Sequence, residues 1–522
     1  MVSGDPVAGT RDSVLLVGGR IVGSHDVVDV AVRRGRVAAI GPTGSVGPGA
    51  LTGRDPGAEH IERVELGGRT VLRGLRDAHV HFSQWALARQ RLDVGAATSA
   101  AGAAALVVER LRERPLAPGA ALVGSGFRDG MWADVPTAAL LDDALRSAAV
   151  PGAAGAPVVL VSGDWHCAWL SSAALVRYGV GSHPTGLLRD TEWFAISEAV
   201  SAVPAPVLDA WVDDAARAAA ARGVVAIVDY ELADNLAAWC RRIPAGTDVL
   251  RVAASTWPAY LDGAVAAGFA TGDVIPGTGG LATMGPLKVI SDGSLNTRTA
   301  YCRDPYPGLE PASAAYGTLA VGPDELARLM ARATRHGLTC AIHAIGDHAN
   351  TLALDAFEAT GAHGSVEHAQ LLSGPDVARF AALGVVASVQ PEHAMDDRDV
   401  ADRYWAGRTG RAFAYADLLA AGASLVLGSD APVAPLDPWI QVAAGVFRAR
   451  DGREPWHPEQ RIGLDVALAA STGGRAAPAV GDVADLAIVD CDPFEADAAD
   501  LRAMPVSGTL LAGRWTWCTL AR

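Results

Sequence analysis

The strand-like run at residues 70–77 leads into Asp77-Ala78-His79-Val80-His81. Alternate side chains of an extended chain share a face, so His79 and His81 point the same way, their Cα atoms roughly 6–7 Å apart. Two imidazoles at that spacing can grip one metal ion. Four more residues of ligating type close other strand-like runs: Lys288 in GPLKVISD, His343 in AIHAIGD, His368 in VEHAQ and Asp430 in GSDAP. Lys288 is the sole lysine in 522 residues, and arginine supplies the rest of the 43 basic side chains. A GC-rich coding bias accounts for arginine replacing lysine on solvated surfaces, but not for the exception. Arginine stays charged in proteins, whereas a lysine amine can lose its proton. The free amine can take up carbon dioxide and become a carbamate, an anionic oxygen ligand. A lone histidine ending an apolar strand is more often a packed core residue. Six ligand-type residues, each at the end of a strand, point instead to a metal centre.

The elements that must position them alternate along the middle of the chain. Candidate strands are TVLRGLRD (70–77), VVAIVDY (224–230), LRVAAST (250–256), GPLKVISD (285–292), TCAIHA (339–344), GSVEHA (364–369), VVASVQ (385–390) and SLVLGSD (424–430). Helical runs such as residues 324–337 and 348–361 fall between most of them. This is the pattern of βα units, and eight strands predict an α/β (β/α)8 TIM barrel. The six candidate ligands then share the C-terminal rim, where catalytic residues of this fold collect. Residues 82–202 are too many for one crossover and predict an insertion after the first barrel strand, with its own strands at AALVGSG and PVVLVSG. Both chain ends read as short strands with glycine turns. The expected organisation is a composite β-sandwich from residues 1–68 and 480–522 around a barrel at 69–479. The Gly- and Pro-rich stretch 42–57 reads as a loop.

Composition narrows the class. Half the residues are hydrophobic, enough for a large core. A net charge of −15 argues against nucleic acid or an anionic membrane surface as partner and leaves a small-molecule substrate. The six cysteines form no CxxC pair or disulfide framework. Residues 1–12 carry no apolar leader core, and no run is long enough to span a bilayer. The expectation is a soluble cytoplasmic protein. Tryptophan outnumbers phenylalanine 13 to 9. Trp132, Trp165, Trp193 and Trp405 fall in insertion and rim segments, where they suit an apolar or aromatic substrate group.

The stretches GLRDAHVHF, GPLKVISDGSLNTRTA, AIHAIGDHA, VEHAQLL, SVQPEH and LVLGSDAPVAPLDP follow one another in that order. With GDWHCAWLSSAAL (163–175) and TGLLRD (185–190) from the insertion, the chain resembles the metal-dependent amidohydrolase superfamily. The resemblance is to amidohydrolase family 3, the branch with YtcJ-like and N-substituted-formamide-deformylase-like members, and runs from about residue 14 to 515. It implies that His79 and His81 hold the more buried metal. Lys288, as a carbamate formed with carbon dioxide, would bridge to a second metal on His343 and His368. The ions would be zinc or a similar divalent metal, two per chain. Asp430 would touch the first metal and act as the catalytic base, passing the proton of a metal-activated hydroxide to the departing nitrogen.

Secondary roles follow. Asp77 is expected beside a ligand imidazole, Asp292 beside the carbamate or substrate, and Arg298, His393, Trp165 and His166 at the substrate. Three departures stand out: Arg73 in place of a proline, His348 in place of an arginine, and a shortened segment GRAAPAVGDVADLAIVD. None removes a ligand. The implied activity is hydrolysis of a non-peptide carbon–nitrogen bond in an amide, formamide or N-acyl amine. The same site on a lactone, carbamate or ring-deamination substrate is one alternative, and a non-catalytic barrel homologue is another. A homodimer is compatible with such a barrel.

Overall fold

The computed structural model describes residues 13–46, 61–117, 119–309 and 313–521. The readings at residues 1–12 and at 47–57 of the expected loop lie outside them. Eight parallel strands form the barrel: β1 Leu75–Val80, β2 Val224–Asp229, β3 Arg251–Thr256, β4 Ala282–Ile290, β5 Cys340–Ala344, β6 Gly364–His368, β7 Val386–Val389 and β8 Leu425–Leu427. They are hydrogen-bonded in chain order. Beyond β8, Ala431 bridges Val80 in parallel and brings the last turn of the barrel against the first. Helices cover the outside for a reason visible in their sequence. In Pro323–Arg335 the buried residues are Leu326, Leu329, Met330 and Ala333, one stripe at helical spacing. Asp324 and Glu325 sit in its first turn and Arg332 and Arg335 in its last, matching the helix dipole.

The run at 70–77 was expected to be one strand; it is two. Thr70–Arg73 leaves the barrel and pairs in parallel with Ser13–Ile21 and antiparallel with Leu486–Val489. Only from Leu75 does the chain join the barrel. The break is at Gly74, where a Cβ would stand 2.4 Å from Val225 Cγ1. Only a residue without a side chain lets the two sheets meet there. The terminal sheet therefore reaches Arg73, past the boundary expected near residue 68. It is one mixed eight-stranded sheet built from both ends of the chain. Its main apolar face holds Val14, Leu16, Val30, Leu486, Ile488 and Leu510. Leu15, Val17, Ala31 and Val46 form a smaller cluster on the other side, the alternation a two-sided sheet requires.

The insertion carries a second, five-stranded sheet, with Leu187–Arg189, Cys167–Leu170, Val158–Ser162, Leu122–Phe127 and Leu92–Asp93 side by side. It has a hydrophobic core of its own around Val158, Leu160 and Trp169. All six cysteines are unpaired. No helix among the described residues is long and apolar enough to cross a membrane.

Candidate metal centre

The rim of the barrel gathers the six candidate ligands around one cavity, all of them buried except the partly exposed His81. His79 Nδ1 donates to Glu367 Oε2 at 2.6 Å, with both side chains sealed from solvent. That bond turns His79 Nε2 toward Asp430 Oδ1, 3.3 Å away. His81 Nε2 lies 3.4 Å from the same oxygen, and His393 Nε2 lies 3.8 Å from Asp430 Oδ2. The His368 ring is 5.0 Å from that of His79 and 4.6 Å from that of His343. His79, His368 and Asp430 each offer one ligand atom, all within 4.8 Å of one another. Lys288, 1% exposed, projects from β4 with Nζ 4.6 Å from the centre of the Tyr230 ring.

Long-range backbone contacts hold these residues. Asp430 N–H donates to His79 C=O at 2.7 Å, and His81 N–H donates to Ala431 C=O at 2.8 Å. Gly428 permits the approach, because a Cβ there would stand 2.6 Å from His79 N. His368 and Asp430 adopt φ of +73° and +57°. Such conformations in residues other than glycine cost about 1–3 kcal/mol and concentrate at functional sites. The turn at His368 also explains how Glu367 and His368, adjacent on a strand, both reach the centre.

The electrostatics suit a cation. Burial, reinforced by neighbouring positive groups, pulls His79 and His368 well below the ordinary imidazole pKa, and His343 in the same direction. That shift favours the neutral rings, whose lone pairs can bind a metal. Burial alone would raise Asp430, but the imidazoles of His79, His81 and His368 outweigh it and keep the carboxylate ionised. Burial brings Lys288 down to about 8, within reach of a neutral amine. His79 Nε2, His81 Nδ1, Lys288 Nζ, His368 Nδ1 and His393 Nε2 are buried without a hydrogen-bond partner. Native interiors rarely leave such atoms unsatisfied. This donor set, imidazole nitrogens around a carboxylate, fits zinc or a similar divalent ion.

The supporting residues do not all act as expected. Asp292 Oδ1 lies 3.0 Å from His343 Nδ1, and its carboxylate accepts backbone N–H groups from Ile345, Gly346 and Tyr301. It therefore sits against the ring of a candidate ligand. Asp77 does not touch a ligand imidazole: its Oδ1 accepts the N–H of His79 and of Ser429. Its role is to pin the ends of β1 and β8 together, and burial raises it to about 6. The imidazole partner is Glu367, which sequence reasoning passed over although it stands beside His368 in VEHAQ.

A cavity of about 1760 Å³ opens over the centre, lined by the six candidate ligands together with His393, Trp165 and His166. Trp193 lines it as well, whereas Trp405 is packed in the barrel core. Arg298 is not among the lining residues; its guanidinium lies 5.4 Å over the Tyr404 ring. The insertion roofs the cavity. Arg128 donates to Asp396 and to Val433 C=O, and Ser294, in the loop after Lys288, donates to Asp164.

Comparison with known proteins agrees with this geometry. A model of the amidohydrolase family matches residues 62–516. The putative amidohydrolase YtcJ of Bacillus subtilis (strain 168) is 26% identical over 509 residues, which span 88% of this chain and 91% of that protein. N-substituted formamide deformylase of Arthrobacter pascens is 24% identical over 536 residues, 93% of this chain and 94% of that protein. The crystal structure of an uncharacterized metal-dependent hydrolase from Pyrococcus furiosus superposes with a TM-score of 0.72 at 23% identity, covering 92% of this chain and 100% of the other. That likeness shows a shared fold.

Proposed function

The chain belongs to the amidohydrolase family, and from that premise we propose that it is a metal-dependent hydrolase of a non-peptide carbon–nitrogen bond. Its substrate is a small amide, formamide or N-acyl amine, met in the cytoplasm. The observation that carries this reading is the buried convergence of neutral His79 and His368 with ionised Asp430 on the barrel rim. The likeness to N-substituted formamide deformylase supports the choice of bond, and Trp165 and Trp193 in the cavity wall suit an apolar N-substituent.

His79, His81 and Asp430 would hold one ion, and His343, His368 and a Lys288 carbamate a second. Bound divalent ions supply Lewis acidity toward a carbonyl and acidify water. The chain's own groups do the rest. Asp430, ionised at rest, can take the proton of the attacking water and pass it to the departing nitrogen. Glu367 and Asp292 keep the rings of His79 and His343 aimed. The neutral Lys288 amine is the form that reacts with carbon dioxide, and burial favours it. The resulting anion would stand beside Asp430 and Glu367, an arrangement that demands cations.

Elemental mass spectrometry on protein purified without chelators tests this. Two equivalents of zinc or a similar ion per chain are expected, with turnover of N-substituted formamides. Lys288→Arg should drop the content to about one ion and abolish turnover while the circular-dichroism spectrum stays intact. A chain that remains metal-free after metal and bicarbonate are supplied would sink the metal-dependent reading. Turnover of lactones but of no formamide would sink the choice of bond.

A further inference from the structure

The insertion brings one more titratable group into the cavity, and its surroundings are built with unusual care. His166 follows Trp165, held at φ +62°, and its ring partner Asp190 is held at φ +41°. Two strained residues flanking one contact imply that the rest of the insertion forces them. Asp190 Oδ1 accepts from His166 Nδ1 at 2.9 Å, and Asp190 N–H donates to His166 C=O at 2.7 Å. His166 N–H donates to Asp164 Oδ1 at 3.1 Å, while Asp164 Oδ2 accepts Ser294 Oγ from the loop after Lys288. The imidazole is thereby locked through Nδ1, and its Nε2 is left for the cavity it shares with the candidate ligands.

We propose that His166, oriented by Asp190, is a catalytic residue whose Nε2–H donates to the substrate carbonyl oxygen and stabilises the charge that collects there in the transition state. This rests on the hydrolase reading above. With Nδ1 committed to a carboxylate, Nε2 carries a hydrogen only when the ring is protonated. Burial is the largest single influence on His166 and opposes protonation. The hydrogen bond to Asp190 and the charges of Asp164, Asp190 and Asp430 outweigh it and raise the pKa. Across the cavity, Asp430 and His343 are the groups that interact with it electrostatically. A permanently anionic substrate group is a poor alternative ligand. The nearby arginines are already paired, Arg128 with Asp396 and Asp397 and Arg189 with Asp129, and the carboxylates of Asp164 and Asp190 add negative charge beside the ring. A carbonyl oxygen, neutral until the transition state, avoids that repulsion in the ground state.

The test uses the metal-loaded full chain on N-substituted formamides. His166→Gln should lower kcat by about 100- to 1000-fold, the usual loss of one transition-state donor, with KM and metal content little changed. Asp190→Asn keeps the ring but withdraws the charge. It should move the alkaline limb of the kcat profile to lower pH, because the donor is lost as pH rises through a His166 pKa that Asp190 no longer helps to raise. Wild-type kcat in His166→Gln, a rise in KM alone, or an unmoved alkaline limb in Asp190→Asn would each overturn the proposal. If the metal-loaded wild type turns over no formamide, the hydrolase reading fails separately, and His166 is judged by histidine-selective nitrogen NMR. A protonated Nε2 at pH 7 that shifts on adding acetohydroxamate, which presents a carbonyl oxygen, supports the donor role. A neutral or unmoved Nε2 refutes it.

Discussion

Each imidazole in the centre has two nitrogens, and what one of them touches decides what the other can do. Glu367 sits at 0% exposure between His79 Nδ1, the Tyr230 hydroxyl at 3.4 Å and the Ser365 hydroxyl. Burial raises its pKa, while an unmodified Lys288 ammonium and the hydroxyls of Ser365 and Tyr230 act to keep it charged. Its bond to Nδ1 keeps His79 Nε2 turned toward Asp430, the side on which the proposed metal would bind. Outer partners of this kind commonly contribute a factor of about 10–100 in metal affinity. Glu367→Gln keeps the shape and removes the charge, so chelator competition should show a loss of that order. An unchanged metal Kd would assign Glu367 to core packing instead.

Strand ends govern how near the ligands come to one another. β8 closes on β1 through Gly428, whose missing side chain leaves room for His79 N and Cβ. Gly428→Ala must push the His79 backbone outward, with an overpacking cost of about 1–3 kcal/mol. Because the displaced element carries the proposed ligand His79, retained metal should fall more sharply than thermal stability. Elemental analysis beside a melting curve separates the two, and full metal retention would show that the rim can flex. The left-handed turns at His368 and Asp430 act on the same scale, bending a strand end so that its last side chain faces the cavity.

The two ends of the barrel are covered by different parts of the chain for different purposes. The insertion lies over the rim and joins it through Arg128 and Asp164. The terminal sheet lies at the opposite end, where Arg251, the first residue of β3, donates to both oxygens of Asp485 at 2.7 and 3.2 Å. Asp485 Oδ1 also accepts the N–H of Ala512. Residues at that end of a barrel serve stability more than chemistry. Asp485→Ala should therefore cost about 2–3 kcal/mol, the scale of a lost charge-assisted pair. Metal content and turnover should stay at wild-type levels. A fall in metal content without a fall in melting temperature would contradict this division.

Much of this was legible in the chain itself. Local periodicity marked the eight barrel strands, and strand alternation put His79 and His81 on one face. The resemblance in motif order pointed to the family, and the singular Lys288 drew notice as an exception. Tertiary structure alone decided the contacts between distant segments. Glu367 reaches a histidine 288 residues away, and Asp77 reaches Ser429 across 352 residues. No local pattern marks either contact, because each depends on how the closed barrel brings the ends of separate strands together. The division of the run at Gly74 arose in the same way. A strand-like run cannot show that two sheets meet at one of its residues, since it is the packed Val225 that excludes a side chain at Gly74. The placing of Arg298 over Tyr404 and of His166 in the cavity wall likewise required the folded insertion and rim loops. Periodicity reports on neighbours in sequence, whereas a metal centre is made by neighbours in space.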